Sequence, residues 1–424
     1  MSQADQKTAS VTGFLATIVI LTFVMNTVGR GVTETFAVFL LPVQKGLGLS
    51  RAEVTSTYSV YMLASGLSAP FAGQLADRFG GRVTYGVGLA CLGGGYVCAG
   101  YVHNLWQYMI CVGLLAGLGV SAIGMVAASA LLTRWFTKSI GVVVALPYAA
   151  GGVGMLVMPP LAQYLLAHFD WRTTHQVLGL TVLAIIPALF VLPLSRMTAG
   201  SPDWQEMRAI EIRNRTMPWR VSTAVRTGAF WSLFGVYFFT SVAAYSVLPH
   251  SVAYLIERGF GPLFSASAFG LTGLLSAAGI IGMGWLSDRI GRRTAATLSY
   301  ISTITGILSL ILVTLVPSAV LVYAFLVFFG LMQGARGPII VALTSLMFPG
   351  GGLGAIFGTL SAAQGLGAAM GSWSSGALYE LTGDYVASFG SGALAAAIAM
   401  SLFWITPSLR QERVYSRPTA EPAP

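Results

Sequence analysis

Charge is scarce in this 424-residue chain. Asp, Glu, Lys and Arg make up 9% of it, against about 25% in soluble globular chains. With 55% hydrophobic residues and a mean hydropathy of +0.76, it cannot dress a water-facing surface. Cysteine is almost missing as well. Cys91, Cys98 and Cys111 all fall in apolar stretches, so they offer neither a disulfide framework nor metal-ligand spacing and read as small packing residues. Four scattered histidines make no metal site, and the chain has no G-x-x-x-x-G-K loop, G-x-S-x-G elbow or zincin motif. ATP drive and a catalytic constellation are thereby unsupported, and no enzyme activity, metal or cofactor is expected.

What is abundant is apolar sequence in lengths of about 20 residues, the span needed to cross about 30 Å of hydrocarbon as a helix. The first stretch, 13–41, is too long for a signal-peptide core and lacks an A-x-A cleavage pattern, so it reads as a retained span. Further helices are predicted near 53–76, 83–102, 106–133, 139–166 and 174–195, then near 229–256, 264–287, 294–316, 319–347, 355–380 and 386–406. The predicted fold is an all-α membrane protein of twelve transmembrane helices in two six-helix bundles. The tail 1–12 precedes the first bundle (13–195), the polar linker 196–228 separates it from the second (229–406), and a Pro-rich tail covers 407–424.

The net charge of +9 is mostly topology. With twelve spans the termini and linker share one side, and 17 of the 23 basic residues fall there against four (Lys45, Arg51, Arg172, Arg258) on the other. By the positive-inside rule that asymmetry puts both termini in the cytoplasm, in a multi-pass protein of the cytoplasmic (inner) membrane. Nucleic-acid binding is not expected, because neither a basic stripe nor a recognition motif is present. The remaining two, Arg30 and Arg336, fall inside predicted spans.

An internal repeat organises the two bundles. Residues 73–82 read Gly-Gln-Leu-Ala-Asp-Arg-Phe-Gly-Gly-Arg, and residues 284–293 read Gly-Trp-Leu-Ser-Asp-Arg-Ile-Gly-Arg-Arg, an offset of 211. Each lies between the second and third span of its half, which matches the parallel-halves plan of secondary transporters with a site near the midplane. The doubled loop in a twelve-span chain resembles the major facilitator superfamily. The stretches Phe36-Ala-Val-Phe-Leu-Leu-Pro42, Gly46-Leu-Gly-Leu-Ser-Arg-Ala-Glu53 and Arg134-Trp-Phe-Thr-Lys138 resemble its monocarboxylate-transporter-like and oxalate/formate-antiporter-like branch. The resemblance implies gating loops at Gly73, Asp77, Arg78, Gly80 and Arg82 and at Gly284, Asp288, Arg289, Gly291 and Arg293. In such loops the aspartates can accept hydrogen bonds from a neighbouring helix N-terminus, while the arginines lock helix ends or meet anionic lipid headgroups; the bland alternative is charges that only set orientation.

Ionisable groups inside a span are candidate functional groups by default. Arg30 and Glu34 lie in the first span, His250 in the seventh and Arg336 in the tenth; each arginine sits roughly 6 Å from the midplane at about 1.5 Å per residue. In the superfamily the first, fourth, seventh and tenth helices line the central cavity, so the two arginines, coming from opposite halves, would suit a carboxylate, which a guanidinium fork binds bidentately. Tyr245, at the repeat offset from Glu34, could donate to a substrate oxygen, and His250 joins it as a candidate contact. Glu34, one turn from Arg30, either simply neutralises it or serves as the proton-coupling group. For Arg336 the bland reading is bonding to carbonyls loosened by Gly334, Gly337 and Pro338. Phe36, Tyr58, Tyr61, Tyr148, Trp231, Tyr237 and Trp373 could shape the pocket.

The chain departs from the branch in its eighth span, 264–286, which carries no charge, and in its eleventh, 355–378, which carries none before Glu380. The basic pair stands on the first and tenth helices instead. Glycines at 151, 152 and 154 with Pro159 and Pro160 in the fifth span, and at 365, 367 and 371 in the eleventh, suit close approach and rocking. The expected function is secondary active transport of small organic anions, mono- or dicarboxylates, by alternating access, with protons or a counter-anion as coupling partner. The working unit is expected to be a monomer in contact with membrane lipid. Efflux of amphipathic drugs and a transporter-like carboxylate sensor are the alternatives; cationic drugs would want a carboxylate without arginine beside it, and a sensor an added signalling domain.

Overall fold

The computed structural model describes residues 3–136, 140–202, 204–205, 221–348 and 353–410. Lys138, about half of the linker (203 and 206–220), the turn 350–352 and the tail beyond 410 lie outside the described residues. Among the described residues, eight helices are long and apolar enough to cross a membrane, from Gly13–Leu47 and Leu105–Thr133 through to Val386–Ile405. Four more crossings complete twelve. Arg51–Ala99 runs 49 residues, about 74 Å at 1.5 Å each, more than twice a bilayer core, and it divides at Gly80, whose φ of 78° breaks the helix. The tenth span (319–347) is pieced together from Ala319–Phe325, a π-helical turn Leu326–Gly330 and Arg336–Met347. The eleventh is Leu353–Thr382. The twelve-helix, two-bundle plan read from the sequence therefore holds.

The repeat extends well past the loop motif. Gly80 and Gly291, 211 residues apart, both have positive φ (78° and 84°), as do Gly48 and Gly259 (64° and 89°), again 211 apart. These turns need a left-handed residue, and glycine takes that conformation without the Cβ penalty. The first span is interrupted at Thr35 and the seventh at Ser246 and Val247, once more at the same offset. The local cause is the same in both: Thr35 donates its hydroxyl to the Val32 carbonyl (2.6 Å) and Ser246 to the Ala243 carbonyl (3.1 Å). Such back-bonding satisfies a freed carbonyl and bends the helix, which makes the break tolerable inside a membrane.

The halves meet by backbone contact at glycines. A Cβ on Gly152 of the fifth span would lie 2.5 Å from the Gly273 carbonyl oxygen of the eighth, and the Ser59 hydroxyl of the second span donates to the Ala369 carbonyl of the eleventh (2.7 Å). Gly376 closes against Ala52 and Thr55, and Gly365 against Met62. The described hydrogen bonds between halves, made by Arg30, Arg51, Ala52 and Ser59, all lie from Arg30 outward, on the side away from the linker. We call this the far side. Arg82 and Arg293 of the linker-side loops bind within their own half. Arg82 donates to the Leu189 and Leu192 carbonyls at the end of the sixth span (3.3 and 3.1 Å), and Arg293, its repeat equivalent, stacks on Trp404 of the twelfth (4.1 Å).

Within the first half, a Cβ on Gly154 would stand 2.1 Å from the Thr27 carbonyl oxygen. Gly154→Leu is therefore expected to lower the thermal unfolding midpoint in detergent, by at least the ~1–3 kcal/mol typical of overpacking. Gly94→Ala, where nothing lies within 4 Å, should leave the midpoint unchanged.

Candidate functional site

The helix break at Thr35 is what gathers the site. Just before it, the Arg30 guanidinium pairs with the Glu34 carboxylate at 2.7 Å, the one-turn spacing that puts both on one face. Arg30 also donates to the Tyr245 hydroxyl at 3.2 Å, and Tyr245 stands immediately before the matching break in the seventh span. One guanidinium thus holds an anion of its own half and a phenol of the other. Glu34 is 2% exposed while the Arg30 side chain is 34% exposed. The carboxylate is sealed in, and the cation keeps an open flank.

Around this pair the second and third spans place tyrosines. The Tyr58 hydroxyl approaches the two Glu34 oxygens at 3.4 and 3.5 Å, the Tyr61 hydroxyl donates to Thr33 at 3.1 Å, and Tyr96 donates to the Val32 carbonyl at 2.7 Å. Tyr58 also packs against Phe36 and Tyr245, with ring centroids 5.0 and 6.0 Å apart. Gly151 of the fifth span faces the Arg30 stem, where a Cβ would meet Cγ at 3.4 Å. Of the aromatics expected to shape a pocket, Phe36, Tyr58 and Tyr61 do gather here. Trp231 and Trp373 are exposed instead, and Tyr237 packs on Phe357. The side chain of Tyr148 lies outside the described residues.

Arg336 and His250 are not brought to this cluster. Arg336 is buried in the second half, where it donates to the Thr303 hydroxyl (2.9 Å) and the Ser299 carbonyl (3.3 Å) and lies over the Tyr300 ring at 4.6 Å. Its partners are on the ninth span, not the loosened carbonyls of its own helix. No carboxylate pairs with it among the described residues, and its Nε has no partner. His250 is fully buried between the Ser372 carbonyl (3.1 Å to Nε2) and the Tyr385 hydroxyl (3.2 Å to Nδ1). A carbonyl only accepts, so Nε2 carries the proton and Nδ1 accepts from Tyr385. Both ring nitrogens are used, which leaves His250 none for a substrate.

The loop aspartates also differ from expectation. Asp288 is exposed and makes no hydrogen bond to a helix N-terminus among the described residues, because Gly291 turns the chain so that the next helix starts without a side-chain cap. The Asp77 side chain lies outside the described residues. Arg78 and Arg289 lie over the neighbouring Phe79 and Trp285 rings (5.2 and 4.0 Å), a geometry suited to the membrane interface. Gly73 and Gly284 lie within the second and eighth spans. In the first copy Gly81 adds to the lock made by Arg82: its N–H donates to the Thr198 hydroxyl at 3.0 Å.

The family model of the Major Facilitator Superfamily matches residues 15–335 and 283–423. The chain belongs to this superfamily. It is a multi-pass membrane transport protein rather than an enzyme, and its relatives are those of the monocarboxylate-transporter-like branch. Monocarboxylate transporter 13 of Rattus norvegicus is 24% identical over 376 residues, covering 88% of this chain and 84% of the relative. An uncharacterized MFS-type transporter of Bacillus subtilis is 23% identical over 380 residues, covering 87% and 89%. Among solved structures, a D-xylose-proton symporter superposes with a TM-score of 0.75 at 14% identity over 95% of this chain and all of the other. The inward open conformation of the xylose transporter from E. coli gives 0.71 at 15% identity, over 93% and 96%. At these identities the structural likeness speaks for the fold alone.

The sealed carboxylate generates a stability prediction. Arg30→Gln strands Glu34 without its cation and is expected to destabilise the protein toward the lower end of about 3–5 kcal/mol, since Arg30 is partly exposed. Glu34→Gln added to it should restore most of the loss, as read by thermal midpoints of the single and double variants.

Proposed function

We propose that this chain is a secondary active transporter of small organic anions, mono- or dicarboxylates, working by alternating access. On this reading it sits in the cytoplasmic membrane with both termini inside and acts as a monomer. The observation that carries the proposal is the Arg30 guanidinium, shared between Glu34 of one half and Tyr245 of the other. A cation with one open flank at the seam of two bundles suits a carboxylate, and ligation from both halves favours closure around it. The names of the monocarboxylate-transporter relatives support the same class.

Charge balance suggests the coupling. Arg30 and Glu34 together are neutral, so a carboxylate joining them would leave a buried net negative charge, which is costly in a low-dielectric site. A proton on Glu34 restores neutrality and frees the guanidinium at the same time. One monocarboxylate entering with one proton is thus the arrangement the cluster accommodates. Arg336, a buried cation without a carboxylate partner among the described residues, stands apart from the cluster in this state, and on this reading it would meet a dicarboxylate or an exchanged anion only in another state of the cycle.

Radiolabelled uptake into proteoliposomes with a panel of carboxylates tests this reading. Arg30→Gln is expected to lower uptake about a hundredfold, the scale of about 2.7 kcal/mol for a lost charge-assisted contact. Arg336→Gln should lower it less for monocarboxylates than for dicarboxylates. Glu34→Gln should retain exchange of preloaded substrate but lose accumulation driven by a pH gradient. Full transport by both arginine variants would remove the basis for an anion site.

A further inference from the structure

Arg51, one of the four basic residues on the side away from the linker, makes more contacts across the seam than Arg30 or Arg336 within the spans. It begins the second span, in the first half, and is buried. One guanidinium nitrogen donates to the Glu257 carboxylate at 2.6 Å, at the end of the seventh span. The other donates to the Tyr385 hydroxyl, which begins the twelfth. The same guanidinium lies over the Tyr379 ring of the eleventh span at 4.3 Å, and Tyr379 itself donates to Glu257 at 3.3 Å. Next to it, Glu380 accepts from the backbone N–H of Ala52 at 2.6 Å.

The bonds have a direction. Arg51 can only donate, so the Tyr385 oxygen accepts from it and gives its own hydrogen to His250 Nδ1; His250 Nε2–H then donates to the Ser372 carbonyl. Ser375, one turn on from Ser372, donates to the Ser246 carbonyl at 2.8 Å, at the break that follows Tyr245. The hydrogen bonds from the far surface end at Ser372, and the same turn of the eleventh span, through Ser375, holds the residue beside the Arg30 partner. We infer that Arg51 is the latch of a far-side gate: its contacts to Glu257 and Tyr385 hold the halves closed there, and Tyr385 and His250 tie the state of that latch to the seventh-span break. This rests on the alternating-access reading for its purpose, though the contacts stand without it.

The latch predicts which variants open the far side. In a background with Cys91, Cys98 and Cys111 replaced by alanine, a cysteine at Ser59, which is 9% exposed under the gate, is labelled with a maleimide in purified full-length protein. Arg51→Gln, Glu257→Gln and Tyr385→Phe are each expected to raise its labelling rate about tenfold, as loss of a partly buried charged contact biases the two states. A second reporter at Ala69, half-buried on the linker half of the same span and on the helix face of Tyr58, should be labelled more slowly in the same variants. Unchanged labelling at Ser59→Cys overturns the latch. So does faster labelling at both reporters, which marks a loosened fold rather than a shifted gate. No substrate enters the measurement, so an inert gate alongside Arg30-dependent uptake would sink the latch and leave the transport reading standing.

Discussion

A charge held within hydrocarbon must bring its partner with it, and in this protein that requirement decides where the two halves touch. Glu34, sealed from solvent, is held by Arg30 at 2.7 Å. Arg30 in turn takes its second partner, Tyr245, from the other bundle. The seam cannot move without changing the surroundings of a buried ion pair. The tyrosines packed around it from the second span, and the glycine that makes room beside the Arg30 stem, follow from that central demand for polar partners in a dry place. The glycine contacts between the fifth and eighth and the second and eleventh spans bring the backbones close enough for side chains as short as these to meet across the interface.

Much of the fold was legible because it is written in composition. Stretches of about 20 apolar residues fix the number of crossings, and the repeated loop fixes their pairing. The positive-φ glycines at 80 and 291 explain why that motif keeps glycine at this place in both copies. The repeat also linked Glu34 with Tyr245, and the structure puts both against one guanidinium. Less legible was anything set by the direction of a side chain around its helix. Arg336 lies on a helix expected to line the cavity, yet the π-helical turn and irregular stretch before it rotate it toward hydroxyls of the ninth span. His250 stands where a relay could stand, but residues 122 and 135 positions away occupy both its nitrogens. Arg51 looked like a loop charge because its partners, Glu257 and Tyr385, lie more than 200 residues on. The signal that could have found it is the opposite charge flanking two equivalent turns, those of Gly48 and Gly259.

The loops of the repeated motif, by contrast, act locally. Arg82 and Arg293 each attach to the last span of their own bundle. They therefore keep six helices together as a body, whichever way the two bodies tilt. Among the described residues the polar contacts between bundles lie in the far half of the molecule, where short hydrogen bonds and glycine backbones supply the adhesion.

The paired breaks at Thr35 and Ser246 carry a mechanical consequence. Each separates a short outer segment, Phe36–Leu47 or Leu248–Glu257, from the longer helix beneath it, and the two outer segments pack on one another. A break at one end and a glycine turn at the other leave each segment jointed at both ends. The far-side closure thus resembles two hinged flaps resting edge to edge, and such flaps can part by a few dihedral rotations while the bundles beneath them keep their packing.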